Sequence, residues 1–232
     1  MTTTVSKHLF SCAIVLAALA ISACSTSGTP PIEGSLSRVA GPDPLGALVD
    51  PFGTNLINNG SFERPVVPVG GFLVFSGGMS FSGHWKVGGG SIDIVSTTFS
   101  QNGFTFPAKC GVQWLNLAGN GQTYTEIDRR IETAPPGGQY TLTFTVGNVV
   151  NPGGPFGTTS TVLVLVNGAL KFTATNSNGS GQTKQVWKSF SVPITAQYAT
   201  TEISFWNNDP SGDTDNGLDC VKLIHTANDT IF

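Results

Sequence analysis

The sequence predicts an all-β protein, and its composition gives three reasons. Gly occurs 29 times and Pro 14 times, only 11% of the residues are charged, and Thr, Ser, Val and Phe are abundant. β-branched and aromatic residues favour strands, whereas Gly and Pro favour the turns between them. No stretch shows a sustained helical periodicity. The formal net charge of −3 comes with no basic patch, so nucleic acid is not an expected partner.

The clearest strand is predicted at residues 140–146, where apolar side chains alternate with three threonines. An apolar run at residues 161–166 is followed by Asn-Gly at residues 167–168, which is typical of a two-residue hairpin turn before a strand at residues 170–174. Further strands are predicted at residues 91–96, 112–117, 124–131, 186–192, 200–206 and 218–224. These strands recur without a second linker or an internal repeat. The sequence therefore predicts one sandwich over residues 54–227.

Residues 1–23 are predicted to be a lipoprotein signal peptide. The apolar run at residues 10–23 is shorter than the roughly 20 residues that a membrane-spanning helix needs. It ends in Ile-Ser-Ala-Cys at residues 21–24, which resembles the lipid-attachment box of bacterial lipoproteins. Cys24 would then be the lipidated first residue of the mature chain, and Ser25 after it favours the outer membrane. An ordinary signal peptide and an uncleaved anchor stay open as alternatives.

Residues 24–53 are rich in Ser, Gly and Pro, which is typical of a flexible tether. A lipid-anchored domain needs such a segment to hold it away from the membrane, and the anchor is the only membrane contact that we expect. Residues 228–232 are a short C-terminal tail.

The four cysteines divide by position. Cys12 lies in the signal peptide and Cys24 takes the lipid, which leaves Cys110 and Cys220. Two cysteines in an exported chain predict a disulfide. Two buried free thiols are the alternative, because Cys also serves as a small core residue.

A series of motifs runs through the predicted domain in a fixed order. Asn-Gly-Ser-Phe-Glu at residues 59–63 opens it and Gly-Leu-Asp-Cys-Val at residues 217–221 closes it. Between them come Trp-Lys-Val at 85–87, Gly-Ser-Ile-Asp-Ile-Val at 90–95, Trp-Leu-Asn-Leu at 114–117, the Pro-Gly-Gly-Gln-Tyr-Thr-Leu-Thr-Phe run at 136–144, and Trp187. Together they resemble the galactose-binding-like jelly rolls and, within them, the domain of unknown function 642. The resemblance implies a jelly-roll β-sandwich that binds polysaccharide without cleaving it, with the 59–63 motif as the opening strand and Phe62 in the core.

The resemblance also implies a structural calcium ion between the first and last strands. Glu63 and Asp219 occupy the positions that usually contribute carboxylates, and the carbonyl of Ser61 is a third candidate ligand. Calcium takes six to eight oxygen ligands. Cys220 departs from the family pattern, which usually has a second Asn or Asp there, so a ligand that relatives use is missing if that position coordinates. From the residues alone, Glu63 could equally be a solvated charge.

Sugar-binding modules present aromatic rings to the apolar faces of sugars, flanked by amides and carboxylates. Trp206 is a candidate for such a ring, because Ile203 and Phe205 share the opposite face of the predicted strand. It also leads into a polar loop that contains Asn207 and Asp209, which are candidate ligand contacts as well.

Trp85 is a further ligand candidate, although it lies beside Val87 near a Gly-rich turn and matches a family position that looks structural, so the core fits it too. Trp114 is expected to point inward. The loop at residues 209–217 contains Asp213 and Asp215. It lacks the spacing of a calcium-binding helix-loop-helix, so we expect a solvated acidic turn there.

No catalytic motif is apparent. His84 and His225 have no recognisable metal-ligand spacing, and no Gly-x-Ser-x-Gly elbow occurs. A glycosidase built from two carboxylates stays open, because the sequence does not give their separation. The sequence thus predicts a non-catalytic, carbohydrate-binding lipoprotein of the cell envelope. The alternative is a structural or adhesive surface module with a protein partner.

Overall fold

The fold is a sandwich of antiparallel strands, seen in a computed structural model that describes residues 53–121, 124–133 and 136–227. These residues all belong to one compact unit, and they form strands and turns without a helix. In chain order the strands are β1 (Phe72–Ser76), β2 (Ser80–Phe81), β3 (Trp85–Gly88), β4 (Ser91–Ser96), β5 (Ser100–Gln101), β6 (Phe104–Thr105), β7 (Gln113–Asn116), β8 (Glu126–Glu132), β9 (Gln139–Asn148), β10 (Ser160–Val166), β11 (Ala169–Asn176), β12 (Val186–Thr195), β13 (Thr200–Asn207) and β14 (Gly217–Ala227).

Two six-stranded sheets make up the sandwich. The first sheet has the order β1-β4-β7-β14-β9-β12 and the second has the order β11-β10-β13-β8-β3-β2, while β5 and β6 form a small separate hairpin. Many neighbours within a sheet are far apart in the sequence, so the chain crosses repeatedly from one sheet to the other, as in a jelly roll. The predicted all-β jelly-roll sandwich is confirmed.

The main core lies between the two sheets and follows from strand alternation. In β9, Tyr140, Leu142, Phe144 and Val146 are all buried in this core, as the alternating pattern predicts. Fully burying an apolar side chain of this size contributes about 1.5–3 kcal/mol. The hairpin prediction is also confirmed, because the Asn-Gly pair between β10 and β11 has positive φ angles of 51° and 79°, as a type I′ turn requires.

The opening motif at residues 59–63 forms a turn, so the expected opening strand is wrong. Asn59 and Phe62 both have positive φ angles, 55° and 56°, and a regular strand cannot contain them. The expected burial of Phe62 is confirmed, because its ring is fully buried. It packs against the rings of Phe81 and Trp85 at 6.4 Å and 5.7 Å.

The first three strands were not predicted from the sequence. β1 is an edge strand and is apolar on both faces, because Leu73 and Phe75 pack against the main core while Phe72 and Val74 lie on the outer face. It therefore lacks the apolar–polar alternation of a half-buried strand. β2 and β3 contain only two and four residues, which is too short for a period of two to stand out.

A second apolar cluster, smaller than the main core, lies on the outer face of the first sheet. We call it the outer cluster; its buried members are Val95, Phe106, Trp114, Val149 and Phe156. Trp114 is buried, as expected, but it points away from the main core, so its predicted inward direction is wrong. The segment between β4 and β7 folds back over the sheet and covers it.

The signal peptide, Cys24, nearly all of the tether and the C-terminal tail lie outside the described residues, and the predictions for them stay predictions. Within the described ranges, no helix is long and apolar enough to cross a membrane.

Candidate ligand-binding cleft

Two rows of side chains cross the outer face of the first sheet in register. One row is apolar: Phe72 of β1 pairs with Val95 of β4, which pairs with Trp114 of β7. The next row is polar: Asp93 of β4 lies directly opposite Asn116 of β7. The intervening residues of β4 and β7 enter the main core, so these five side chains project outward. We call these five residues the cleft floor.

Three segments rise around the cleft floor and turn it into a cleft. The segment between β4 and β7 contributes Phe99 and Phe106, the segment between β9 and β10 contributes Phe156, and the segment between β13 and β14 contributes Thr214 and Asp215. The cleft has a volume of about 280 Å³, near the lower end of the range for small-molecule sites. It therefore has room for one ring-sized ligand group.

The aromatic rings of the cleft brace one another. Phe106 stacks on Trp114 with centroids 6.2 Å apart, and it meets Phe156 edge-on at 5.2 Å. Phe99 contacts Phe106 and Phe72, each at 5.6 Å. Aromatic pairs contribute about 0.5–1.5 kcal/mol beyond their buried area. The rings are thus held in place before a ligand arrives, which lowers the entropy cost of binding.

Hydrogen bonds fasten the surrounding segments to the sheet. Nε1 of Trp114 donates to the carbonyl of Phe106 at 2.9 Å. Nδ2 of Asn116 donates to the carbonyl of Thr214 at 2.9 Å, and its Oδ1 accepts from the amide of Ala118 at 3.0 Å. Trp114 and Asn116 therefore shape the cleft, and the polar groups of their side chains are already committed.

Two buried carboxylates line the cleft, and each has one enclosed oxygen without a hydrogen-bond partner among the described residues. Asp93 is 6% exposed and its Oδ1 has no hydrogen-bond partner. Asp215 is 1% exposed; its Oδ2 accepts from the amide of Val149 at 2.8 Å, and its Oδ1 has no partner. Burial raises the pKa of Asp93 to about 6 and that of Asp215 to about 8. A buried oxygen without a partner is costly, so a ligand that donates hydrogen bonds here would relieve that cost.

The mouth of the cleft offers exposed groups of a different kind. Phe72 is 47% exposed, so one of its ring faces is open to a ligand. Gln101 and Asn120 also line the cleft and are exposed. Their amides can both donate and accept hydrogen bonds.

Trp85, a predicted ligand contact, is a core residue, and that prediction is wrong. Its ring is fully buried between Phe62 and Phe205, at 5.7 Å and 6.4 Å. Nε1 of Trp85 donates to the carbonyl of Asn59 at 3.2 Å. No face of the ring is left for a ligand.

Trp206 lies on the outer face of the second sheet, on the other side of the sandwich from the cleft. Ile203 and Phe205 enter the main core, as the alternation predicts. The indole of Trp206 is half-buried, and its Nε1 has no hydrogen-bond partner among the described residues. It lies near the carboxylate of Glu126, whose pKa is raised by burial and lowered in part by this indole. A ligand contact at Trp206 stays a prediction.

Asn207 and Asp209 are enclosed rather than displayed, which corrects their prediction as ligand contacts. They are 1% and 2% exposed. Oδ1 of Asn207 accepts from Nδ2 of Asn216 at 2.6 Å, and Oδ1 of Asp209 accepts from the amide of Thr161 at 2.6 Å. These side chains anchor the ends of neighbouring strands.

The predicted solvated acidic turn is also wrong in part. Asp213 is half-buried and keeps some contact with solvent, as expected of a turn residue. Asp215, in contrast, is almost completely buried and lines the cleft.

The predicted metal residues gather around one turn, which precedes β7. Oε1 of Glu63 accepts from the amides of Val112 and Gln113 at 2.9 Å and 3.0 Å. Oδ2 of Asp219 accepts from the amides of Lys109 and Cys110 at 2.9 Å and 2.8 Å, and its Oδ1 accepts from the amide of Cys220 at 2.7 Å. The two carboxylates therefore cap the two ends of this turn.

This arrangement fits a calcium ion poorly. Five backbone N–H groups point at the oxygens that a cation would need, and both oxygens of the fully buried Asp219 are engaged. Burial raises the pKa of Asp219 to about 7 despite its amide donors, and the nearby carboxylate of Glu63 adds to the rise. Ser61 lies close by, with Glu63 in one surface hollow and with both cysteines in another. Calcium binding at Glu63, Asp219 and Ser61 stays a prediction.

The predicted disulfide is confirmed. Cys110 and Cys220 are bonded, with their Cα atoms 5.5 Å apart. The bond ties the capped turn to β14, next to Asp219. Both sulfurs are therefore taken, and neither cysteine is available as a metal ligand.

Sequence reasoning missed Asp93, Phe99, Phe106 and Phe156 as cleft residues. One signal was present in the sequence. Asp93 lies in the apolar strand β4 at a position whose side chain points away from the main core, and burying a carboxylate there is costly unless it has a partner. The phenylalanines lie in segments without periodicity, so only the fold brings them together.

The fold and the cleft define the class: a jelly-roll β-sandwich domain with its candidate site on the outer face of one sheet. Within that class, the chain belongs to the family described as protein of unknown function (DUF642), whose sequence pattern matches residues 55–225. The resemblance drawn from the motifs is confirmed.

Several solved structures are similar to this chain at low sequence identity. A cyclase from Fischerella sp. TAU is 16% identical, covers 75% of this chain and 99% of its own, and has a TM-score of 0.50. A family 35 carbohydrate binding module from Clostridium thermocellum is 14% identical, with coverages of 67% and 98% and a TM-score of 0.42. A second family 35 module, from an environmental isolate, is 20% identical, with coverages of 52% and 77% and a TM-score of 0.37. No curated protein matches the chain. At these identities the likeness concerns the fold alone.

Proposed function

We propose that this protein binds carbohydrate in the cleft on the first sheet, without cleaving it, and that it does so as a lipoprotein of the bacterial cell envelope. One observation carries the binding proposal: an aromatic cleft whose buried carboxylates, Asp93 and Asp215, each keep an unpaired oxygen.

The chemistry of the cleft suits a sugar ring. A pyranose has apolar C–H faces that pack on aromatic rings and hydroxyl groups that donate hydrogen bonds. The exposed ring of Phe72 offers the first surface, and the carboxylates of Asp93 and Asp215 accept from hydroxyls deeper in the cleft. Gln101 and Asn120 at the mouth serve hydroxyls near the solvent. The resemblance of the sequence motifs to polysaccharide-binding jelly rolls supports the same ligand class.

The small volume favours one sugar residue, at a chain end or on a side branch, over a long stretch of polysaccharide. Binding without cleavage rests on the same resemblance. Attachment to the envelope rests on the Ile-Ser-Ala-Cys motif and the tether that follows it.

A second candidate function, docking of a protein partner, has an observation of its own in its favour. The segment before β1 exposes Val66 and Val69, which are 79% and 90% exposed, and Val74 on β1 is 45% exposed. Large apolar side chains exposed within so short a stretch of chain are a feature that interaction surfaces use. An adhesive role through this surface is therefore the alternative.

A glycan array with the soluble domain, followed by affinity measurements, tests the carbohydrate proposal. Phe72→Ala should weaken binding by about tenfold, the effect of losing roughly 1.4 kcal/mol, and lower the melting temperature by only a few degrees, because it also removes the contact with Phe99. Trp206→Ala is the matched variant on the other sheet: binding in the cleft predicts unchanged affinity, whereas the predicted ligand contact at Trp206 requires a loss. Loss of binding in Trp206→Ala with full binding in Phe72→Ala would move the site to the second sheet. Binding to no glycan, together with specific capture of an envelope protein, would favour the adhesive role.

A further inference from the structure

The charged residues that line the cleft, among those described, are all acidic. Asp93 and Asp215 line it, and none of its described lining residues is Lys, Arg or His. Asp209 lies close enough to Asp213 and Asp215 for both carboxylates to raise its pKa, so the region behind the cleft is acidic as well. A negatively charged ligand would meet repulsion from Asp93, which is largely ionised at neutral pH because its pKa is about 6, and would find no cation to pair with among the described lining residues.

The unpaired oxygens Oδ1 of Asp93 and Oδ1 of Asp215 need hydrogen-bond donors. A sugar hydroxyl donates one hydrogen bond, whereas a protonated amine donates three and brings a positive charge. Hydrogen bonds between two charged groups are also about twice as strong as neutral ones. Among sugar substituents, an ammonium group therefore satisfies this pair of carboxylates best.

The aromatic rings favour the same group. Five rings line the cleft: Phe72, Phe99, Phe106, Trp114 and Phe156. Their π faces are negative and attract cations, most strongly where water is excluded. The combination of aromatic walls with buried carboxylates is a site for an organic cation as much as for a sugar ring.

We propose that this cleft selects a sugar that bears a protonated amine, a hexosamine with a free amino group, over its N-acetylated or neutral counterpart, and that it rejects uronic acids. This proposal rests on the proposed function and specifies its ligand.

The test compares four short oligosaccharides of similar length by calorimetry at neutral pH: glucosamine, N-acetylglucosamine, glucose and galacturonate oligomers. We expect the glucosamine oligomer to bind about tenfold more tightly than the two neutral ones, which is the difference that a charge-assisted hydrogen bond makes. The galacturonate oligomer should not bind. Equal affinity for the first three would overturn the amine preference and leave carbohydrate binding intact. Absence of binding to every glycan would instead defeat the proposed function.

Isosteric variants test which carboxyl groups cause the preference for the free amine. Asp93→Asn and Asp215→Asn should each reduce the preference for the free amine to a few-fold at most, about the level of a neutral hydrogen bond. The matched control is Glu132→Gln, which removes one exposed charge on β8 of the second sheet and should keep the full preference. A preference that survives in both cleft variants would overturn the proposal.

A measurement on the unaltered protein covers the case in which a variant does not fold. Burial keeps Asp215 largely protonated at neutral pH, since its pKa is raised to about 8. At a pH about two units below the pKa of the oligomer's amine, where that amine is fully protonated, pairing with the ammonium group should therefore release a proton from the carboxyl, and the heat of binding of the glucosamine oligomer should change between buffers of different ionisation enthalpy. A heat of binding that is the same in both buffers would count against the proposal.

Discussion

Asp93 of β4 and Asn116 of β7 face each other directly across the first sheet, and their row continues through Gly217 and Gly147 to Trp187. The two glycines leave space for the indole of Trp187. A Cβ atom on Gly147 would lie 2.9 Å from that ring, and one on Gly217 would lie 3.1 Å from it.

Gly147→Ala should therefore destabilise the domain by about 1–3 kcal/mol, the usual cost of overpacking. The added methyl group pushes Trp187 away from Trp114, whose ring it meets edge-on at 6.0 Å. Chemical denaturation measures the change. Gly71→Ala is the control, because its Cβ would make only ordinary contacts, at 3.4 Å or more. Equal stability of the two variants would contradict this account of the glycine row.

The stability of the domain should fall as the pH rises from about 4 to about 9. Burial raises the pKa of Asp93 to about 6, of Asp219 to about 7, and of Asp209 and Asp215 to about 8. In the unfolded chain an Asp titrates near 3.9. Between these values the native state holds protons that the unfolded chain has lost, so the native state is progressively disfavoured.

One pKa unit corresponds to about 1.4 kcal/mol, and each kcal/mol shifts the melting temperature of a domain of this size by roughly 2–4 °C. The rise at Asp93 alone, from 3.8 to about 6, therefore corresponds to a decline of at least about 6 °C, measured by calorimetry without a ligand, and the other three carboxyls add to it. Asp215→Asn should flatten this decline, whereas Glu132→Gln should not. A melting temperature that stays constant over this range would show that the buried carboxyls are paired in solution.

Reduction of the disulfide between Cys110 and Cys220 should destabilise the domain. The bond has a sequence separation of 110, for which the chain-entropy model gives about 4–5 kcal/mol. Denaturation with and without reductant measures the loss, and alkylation followed by mass measurement verifies the redox state. An unchanged midpoint in fully reduced protein would show that the capped turn holds without the bond.

Addition of a calcium chelator is expected to change the stability of the domain very little. The amide-capped carboxylates of Glu63 and Asp219 need no cation to satisfy them, so a chelator should shift the melting temperature by less than about 1 °C. A metal bound to the native state alone stabilises it by mass action. A clear drop with chelator, reversed by added calcium, would therefore establish the metal that the family resemblance implies.

The amino-acid sequence by itself determined the fold class, the main core and the disulfide. Alternation in β9 and the Asn-Gly hairpin after β10 are local signals with one favoured physical outcome each, and a pair of cysteines in a chain predicted to be exported favours a disulfide. The order of the motifs in turn identified the family. The burial of Phe62 followed as well, although the conformation of its motif did not.

Only the tertiary structure decided where the candidate site lies. Trp206 was placed on the correct face of its strand, but alternation cannot show what covers that face. The cleft is formed by side chains from β4, β7 and three irregular segments, which are distant in sequence and carry no shared pattern. Asp215 reads as a solvated turn residue until the folded segments bury it beside Asp93 and the aromatic rings, because burial depends on long-range packing and not on neighbours in the chain.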